Sequence, residues 1–145
     1  LLDRISYVGM DFSQNMLDLA QRKVKHENAS FVKSPLTCIQ YDEQFDRVLL
    51  RAVLAHVEDP QDVIRNVSKA LCIGGTLYVV FWNNPVKGKA VVSKVKGGFW
   101  DIGHNEKYLK DCMDDANLKL ENTYLITERS ARAKHRVIWE LTRDV

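Results

Sequence analysis

Tyr7 to Ala20 reads Y-V-G-M-D-F-S-Q-N-M-L-D-L-A, a short apolar run that ends in an acid and passes at once into a helical pattern. Ile5 to Val8 is the strand candidate, and Gly9 leaves room for close approach of another group. Ser13 is a good N-cap. Met16, Leu17, Ala20 and Val24 then recur at helical spacing, while Gln21, Arg22, Lys23 and Lys25 take the polar side. The helix is expected to stop between His26 and Asn28. Asp11 therefore sits where a strand hands over to a helix. In an open parallel sheet the ligand crevice lies at the carboxyl ends of the strands, and an acid just past a strand can hold the two hydroxyls of a ribose. A carboxylate that only caps the following helix is the plainer reading, and the residues alone leave both open.

Working outward, Ala29 to Lys33 is a second short strand, closed by Ser34-Pro35 because proline keeps the residue before it out of the helical region. Thr37 to Phe45 is polar and irregular. Arg47-Val48-Leu49-Leu50 has the unbroken apolar core of a strand covered on both faces. Asp59-Pro60 starts a helix with one face of Val63, Ile64, Val67, Ala70 and Leu71, and Gly74-Gly75 is expected to stop it. Thr76 to Trp82 is the most hydrophobic run and reads as a central strand. Asn83 to Gly103 reads as loop with a short helix around Ala90 to Val95. Asn105 caps a helix whose face is Leu109, Cys112, Met113 and Ala116. Finally Leu118 to Ile126 and Val137 to Leu141 show the period of strands and pair antiparallel.

Alternating strands and amphipathic helices predict one α/β domain over residues 1–145, its sheet mostly parallel with an antiparallel hairpin at the C-terminal end. A chain of 145 residues is long enough to bury roughly two thirds of its unfolded surface. Its 46% apolar and 28% charged residues exclude a disordered or fibrous chain. The net charge of +2 gives too weak a field to hold a polyanion, so no nucleic-acid partner is implied. Cys38, Cys72 and Cys112 form no C-x-x-C pair and read as small buried hydrophobes in a reducing, cytoplasmic setting, with no metal site. No apolar stretch approaches the roughly 20 residues of a membrane span.

Three pieces together resemble class I S-adenosylmethionine-dependent methyltransferases. Tyr7 to Ala20 resembles the family's second-strand motif. F-D-R-V-L-L-R-A-V-L-A-H-V-E-D-P, from Phe45, followed by S-K-A-L-C-I-G-G-T-L-Y-V-V, from Ser68, resembles its fourth strand, next helix and fifth strand. The resemblance implies a Rossmann-like sheet and S-adenosylmethionine as cofactor. By resemblance, Asp11 binds the ribose and Gly9 lies beside it. Phe12 and Met16 pack on the adenosine, Ser34, Pro35 and Leu36 lie along the adenine, and Arg51-Ala52 approaches the methionine part. The family's first strand and glycine-rich loop would precede Leu1, so the domain is expected to be N-terminally truncated. Two apolar strand edges are then left unpaired or forced together. The family's acid after the third strand is replaced here by Ser34 or Pro35.

His56, at the strand-to-helix crevice, is a candidate general base. Alignment of nucleophile and methyl group often suffices, and His56 is then structural. Lys87, Lys89, Lys94 and Lys96 are a candidate contact for an anionic substrate or a solvated loop. Trp100 and His104 are candidate pocket or packing residues, and Trp82 and Trp139 are expected in the core. The leading expectation is methyl transfer to a small-molecule acceptor. Its rivals are a non-catalytic scaffold that pairs its open sheet edge with another chain or a second copy, and a piece of a nicotinamide-binding domain.

Overall fold

The computed structural model describes residues 2–82, 90–94, 100–127 and 135–145. Lys87, Lys89 and Lys96 lie outside the described residues, as do the side chains of Trp82, Lys94 and Trp100. The chain divides into two compact units, Leu1–Ile39 and Gln40–Val145.

In the first unit, strand β1 (Tyr7–Asp11) and strand β2 (Ala29–Lys33) pair in parallel, Tyr7 opposite Ala29 and Asp11 opposite Lys33. Helix α1 (Gln14–Lys23) connects them. The strand begins two residues later than its apolar run and continues through Gly9 to Asp11, because the Tyr7 amide opens the ladder by donating to the Asn28 carbonyl at 2.8 Å. Ser13 is the N-cap, its Oγ accepting from the Met16 amide, and the helix stops at Lys23 because Val24 turns extended at φ −116°. A Cβ on Gly9 would come within 2.8 Å of the Phe31 ring. That ring, set edge-on to Tyr7, is the group whose approach Gly9 permits.

The second unit holds strand β3 (Phe45–Arg51), helix α2 (Gln61–Ala70), strands β4 (Leu71–Trp82), β5 (Ala90–Lys94) and β6 (Trp100–His104), helix α3 (Glu106–Asp114), and strands β7 (Leu118–Thr127) and β8 (His135–Arg143). Four strands form a sheet in the order β3-β4-β8-β7, and β5 with β6 forms a separate hairpin. Among the described residues two pairings are parallel, β1-β2 and β3-β4, and three are antiparallel. The fold is thus α/β with a partly parallel sheet, and the terminal hairpin is as expected. Among the described residues each of β1 and β3 has a single partner, β2 and β4 respectively, and stands at the edge of its own sheet.

Three local expectations are corrected. The segment from Ala90 is a strand, as its paired β-branched Val91 and Val92 favour. Gly74-Gly75 does not end α2, which stops at Ala70. The glycines make a bulge inside β4, Gly74 at φ 77°, where the register jumps from Phe45↔Leu71 to Arg47↔Thr76. A Cβ on Gly75 would meet the Cys72 carbonyl oxygen at 2.8 Å, so the bulge needs glycine there. Of the cysteines only Cys112 is buried; Cys38 is exposed and Cys72 half-buried.

The core follows from the strand period. Leu77 and Val79 of β4, Val137, Trp139 and Leu141 of β8 and Leu118 of β7 are buried together with Val63, Ile64 and Val67 of α2 and Leu109, Cys112 and Met113 of α3. Each such aliphatic side chain contributes about 1.5–3 kcal/mol on burial. Trp139 is fully buried, as expected, with Phe81 edge-on at 4.8 Å. The opposite face follows equally from the register. It carries in successive rows Arg47, Thr76, Thr142 and Lys119; then Leu49, Tyr78, Glu140 and Asn122; then Arg51, Val80, Ile138 and Tyr124. This face is half-buried to exposed, with Leu49 61% exposed. No helix among the described residues is long and apolar enough to cross a membrane.

Candidate functional site

Six of the eight candidate residues belong to the first unit, at the carboxyl end of its parallel pair. Asp11 closes β1. Its Oδ1 accepts the Ser13 amide at 2.8 Å, and its backbone carbonyl accepts the Ser34 amide at 3.2 Å. Capping is therefore real, yet among the described residues it occupies one carboxylate oxygen only, leaving Oδ2 able to take hydroxyl donors. Phe12 beside it is 71% exposed and Met16 is 54% exposed. Two large apolar side chains held in water next to an acid suit the flat apolar body and the paired hydroxyls of a nucleoside. Ser34 Oγ donates to the Pro35 carbonyl at 3.1 Å, so its oxygen still accepts. Leu36 opens a 3-10 turn, Leu36–Cys38, and is half-buried. Gly9, two residues back in the strand, is filled by the Phe31 ring as described.

Arg51 and His56 belong to the second unit. Arg51 ends β3, and the Ala52 amide extends the ladder by one bond, donating to the Val80 carbonyl at 3.0 Å. Ala52 has φ 55°, a left-handed conformation that is strained for a residue with a Cβ. Arg51, Ala52, Val80, Phe81 and Arg136 line a cavity of about 300 Å³ at the carboxyl ends of β3 and β4. His56, itself exposed, closes the 3-10 turn Leu54–His56, whose Leu54 is buried, and is not among the residues lining that cavity.

His104 is a packing residue. It is 7% exposed, and its Nε2 lies 2.9 Å from the Leu54 carbonyl. A carbonyl only accepts, so Nε2 donates to it, and among the described residues the buried Nδ1 has no hydrogen-bond partner.

Arg136 is the residue the sequence pattern passed over. It precedes Val137 and so falls on the phase opposite Val137, Trp139 and Leu141; that phase was legible, its strand partner was not. On the same face Glu140 is held by three donors, Tyr78 at 3.0 Å, Asn122 at 2.9 Å and Tyr124 at 2.8 Å. The Tyr124 hydroxyl, then Asn122 and Tyr78, hold its carboxyl below the usual glutamate range. The hydrogen bonds to Glu140 raise both tyrosines in turn.

The family model for the methyltransferase domain matches residues 2–79. Phosphoethanolamine N-methyltransferase 2 of Caenorhabditis elegans is 32% identical over 114 residues, which is 75% of this chain and 25% of that protein. The chain thus spans about a quarter of the length of this relative. Among solved structures, an S-adenosylmethionine-dependent methyltransferase of Methanosarcina mazei superposes with TM-score 0.74 at 19% identity, covering 95% of this chain and 82% of that one. The 1,6-didemethyltoxoflavin-N1-methyltransferase of Burkholderia thailandensis, determined with 1,6-didemethyltoxoflavin and S-adenosylhomocysteine bound, has TM-score 0.74 at 16% identity over 95% of this chain and 61% of its own. At these identities the likeness to both structures is one of fold.

Proposed function

This chain belongs to the class I S-adenosylmethionine-dependent methyltransferases, and from that premise we propose that it contributes to methyl transfer onto a small-molecule acceptor, with the adenosine held by its first unit. The observation that carries the reading is Asp11, with an uncommitted Oδ2 between a ladder end and two exposed apolar side chains, Phe12 and Met16. A ribose offers two hydroxyl donors to that oxygen, a charge-assisted arrangement stronger than a neutral hydrogen bond. Phe12 and Met16 supply the apolar contact for the base. Ser34 Oγ accepts from an exocyclic amine in place of an acid, and Leu36 adds apolar surface.

When bound, the cofactor supplies a methyl group made electrophilic by its sulfonium. The chain's own contribution is then to hold the acceptor in line and to keep water out. The relative that is 32% identical is an N-methyltransferase, which supports a nitrogen nucleophile as acceptor. In this reading His56, exposed on its turn, takes a proton from the acceptor nitrogen.

Calorimetric titration of the chain with S-adenosylhomocysteine tests the first step. Saturable binding that is weakened about tenfold or more in Asp11→Ala is expected. Absence of heat at millimolar ligand in the parent chain sinks the proposal.

A further inference from the structure

Among the described residues the sheet β3-β4-β8-β7 ends on one side at β7. An edge strand presents a row of unpaired backbone N–H and C=O groups, which proteins blunt by shortness, charge, proline or a bulge. β7 runs for 10 residues, Leu118–Thr127, where strands average about five or six. Its bulge lies between Leu120 and Asn122, in its first half. Its charges, Lys119 and Glu121, stand on that same part and pair with each other at 3.3 Å. From Asn122 to Ile126 the strand reads N-T-Y-L-I, with no charge, proline or glycine. All of these residues are exposed, Leu125 at 66%, Tyr124 at 48% and Ile126 at 46%. Leu125 stands opposite the buried Val137, on the face that carries the core, and Tyr124 stands opposite Ile138 on the other face. Apolar surface is therefore open on both faces of this edge.

We propose that β7 is a self-association edge, at which the β7 strands of two copies of this chain pair antiparallel about a two-fold axis and join their sheets. The occupant is a second copy because the edge complements itself. A two-fold axis brings each residue near the centre close to its own counterpart, so a single charge there meets a like charge. Asn122 to Ile126 has none, and the chain's net charge of +2 opposes the approach only weakly. Pairing satisfies the backbone groups of both edges at once. It gathers the two Leu125 side chains on one face, and Tyr124 with Ile126 on the other. The Tyr124 hydroxyl stays on Glu140 at 2.8 Å, which fixes the ring beforehand and lowers the ordering cost of association. Self-pairing uses the open edge of β7 in both copies, so assembly through it closes at two. A contact confined to one strand on each side is at the small end of specific interfaces, about 1,000 Å² or below, and gives a reversible dimer. The edge lies wholly in the second unit, and the inference is independent of the methyl-transfer reading.

Sedimentation equilibrium of the full chain, from about 1 μM to about 1 mM, tests it. A monomer–dimer equilibrium is expected, weakened about tenfold or more in Leu125→Lys and in Ile126→Lys. Both side chains are exposed, and an unchanged urea midpoint shows that each variant keeps the fold. Leu49→Lys charges a similarly exposed side chain, at 61%, on the strand at the other end of the sheet, and is expected to leave the dimer as tight as in the parent. Hydrogen exchange locates the contact, with amides between Asn122 and Ile126 slowing as concentration rises and those of β3 unchanged. A chain that stays monomeric throughout, a dimer equally tight in both β7 variants, or a dimer lost in Leu49→Lys each overturns the proposal. Slowing confined to β3, or open-ended polymers in place of a closed pair, overturns it as well.

Discussion

The Asp11 carboxylate accepts the Ser13 amide at 2.8 Å through Oδ1, so the residue proposed to hold a ribose also fixes the entry to α1. The two roles separate by substitution. Asp11→Asn keeps a side-chain oxygen for the Ser13 amide and is expected to stay within about 0.5 kcal/mol of the parent in urea unfolding, whereas Asp11→Ala loses about 1 kcal/mol. Binding of S-adenosylhomocysteine is weakened in both. Equal stability loss in the two variants contradicts the assignment of a distinct capping oxygen.

Ala52 occupies the left-handed region at φ 55° with its amide bonded to Val80. Ala52→Gly removes the Cβ strain but frees the unfolded chain. The net expectation is a gain of up to about 1 kcal/mol, read as a higher urea midpoint at constant slope. A lower midpoint counts against strain at this turn.

Glu140 gives a pH signature. Its carboxyl is held below the unfolded-state value by Tyr124, Asn122 and Tyr78. Its contribution to stability is therefore complete above the ordinary glutamate pKa and is lost as pH falls through the depressed folded value. Glu140→Gln should narrow its stability gap to the parent across that acid window, with the full gap at neutral pH. A gap that is independent of pH between neutrality and strong acid refutes the linkage.

Ser68 Oγ donates at 2.7 Å to the Ala116 carbonyl, tying α2 to the turn after α3 across a buried contact. Ser68→Ala improves helix propensity but leaves that carbonyl without its donor, so a loss of about 1–2 kcal/mol is expected in chemical denaturation. A neutral or stabilising result shows that water replaces the hydroxyl.

The cysteines differ in access. Cys38 is exposed and Cys112 is buried, burial also pushing the Cys112 thiol above its ordinary pKa. A thiol reagent should consume Cys38 rapidly in the native chain and Cys112 only on unfolding. Fast native modification of Cys112 would place it outside the core.

Several features were fixed locally and could be read in order. Ser13 and Asn105 cap their helices because a short side-chain oxygen reaches amides two or three residues on. The period-2 phase of Val137, Trp139 and Leu141 put those side chains on one face, and a fully buried Trp139 follows from it. Asp11 was legible for the same reason, since an acid between an apolar run and a helix start is a local pattern.

What the tertiary structure decided were relations between distant residues. The glycines at 74 and 75 looked like a helix stop, and only the pairing with β3 turned them into a bulge. The strand at Ala90 gained its identity from a partner at Trp100–His104 rather than from its own composition. The meeting of Arg51 with Arg136, 85 positions apart in the chain by subtraction of their numbers, depends on β4 standing between β3 and β8. Sequence determined which side chains face together along one strand, because alternation is set by backbone geometry. Strand order, which determines which rows become neighbours, is settled by long-range packing, and the cavity at the ends of β3 and β4 exists only at that level.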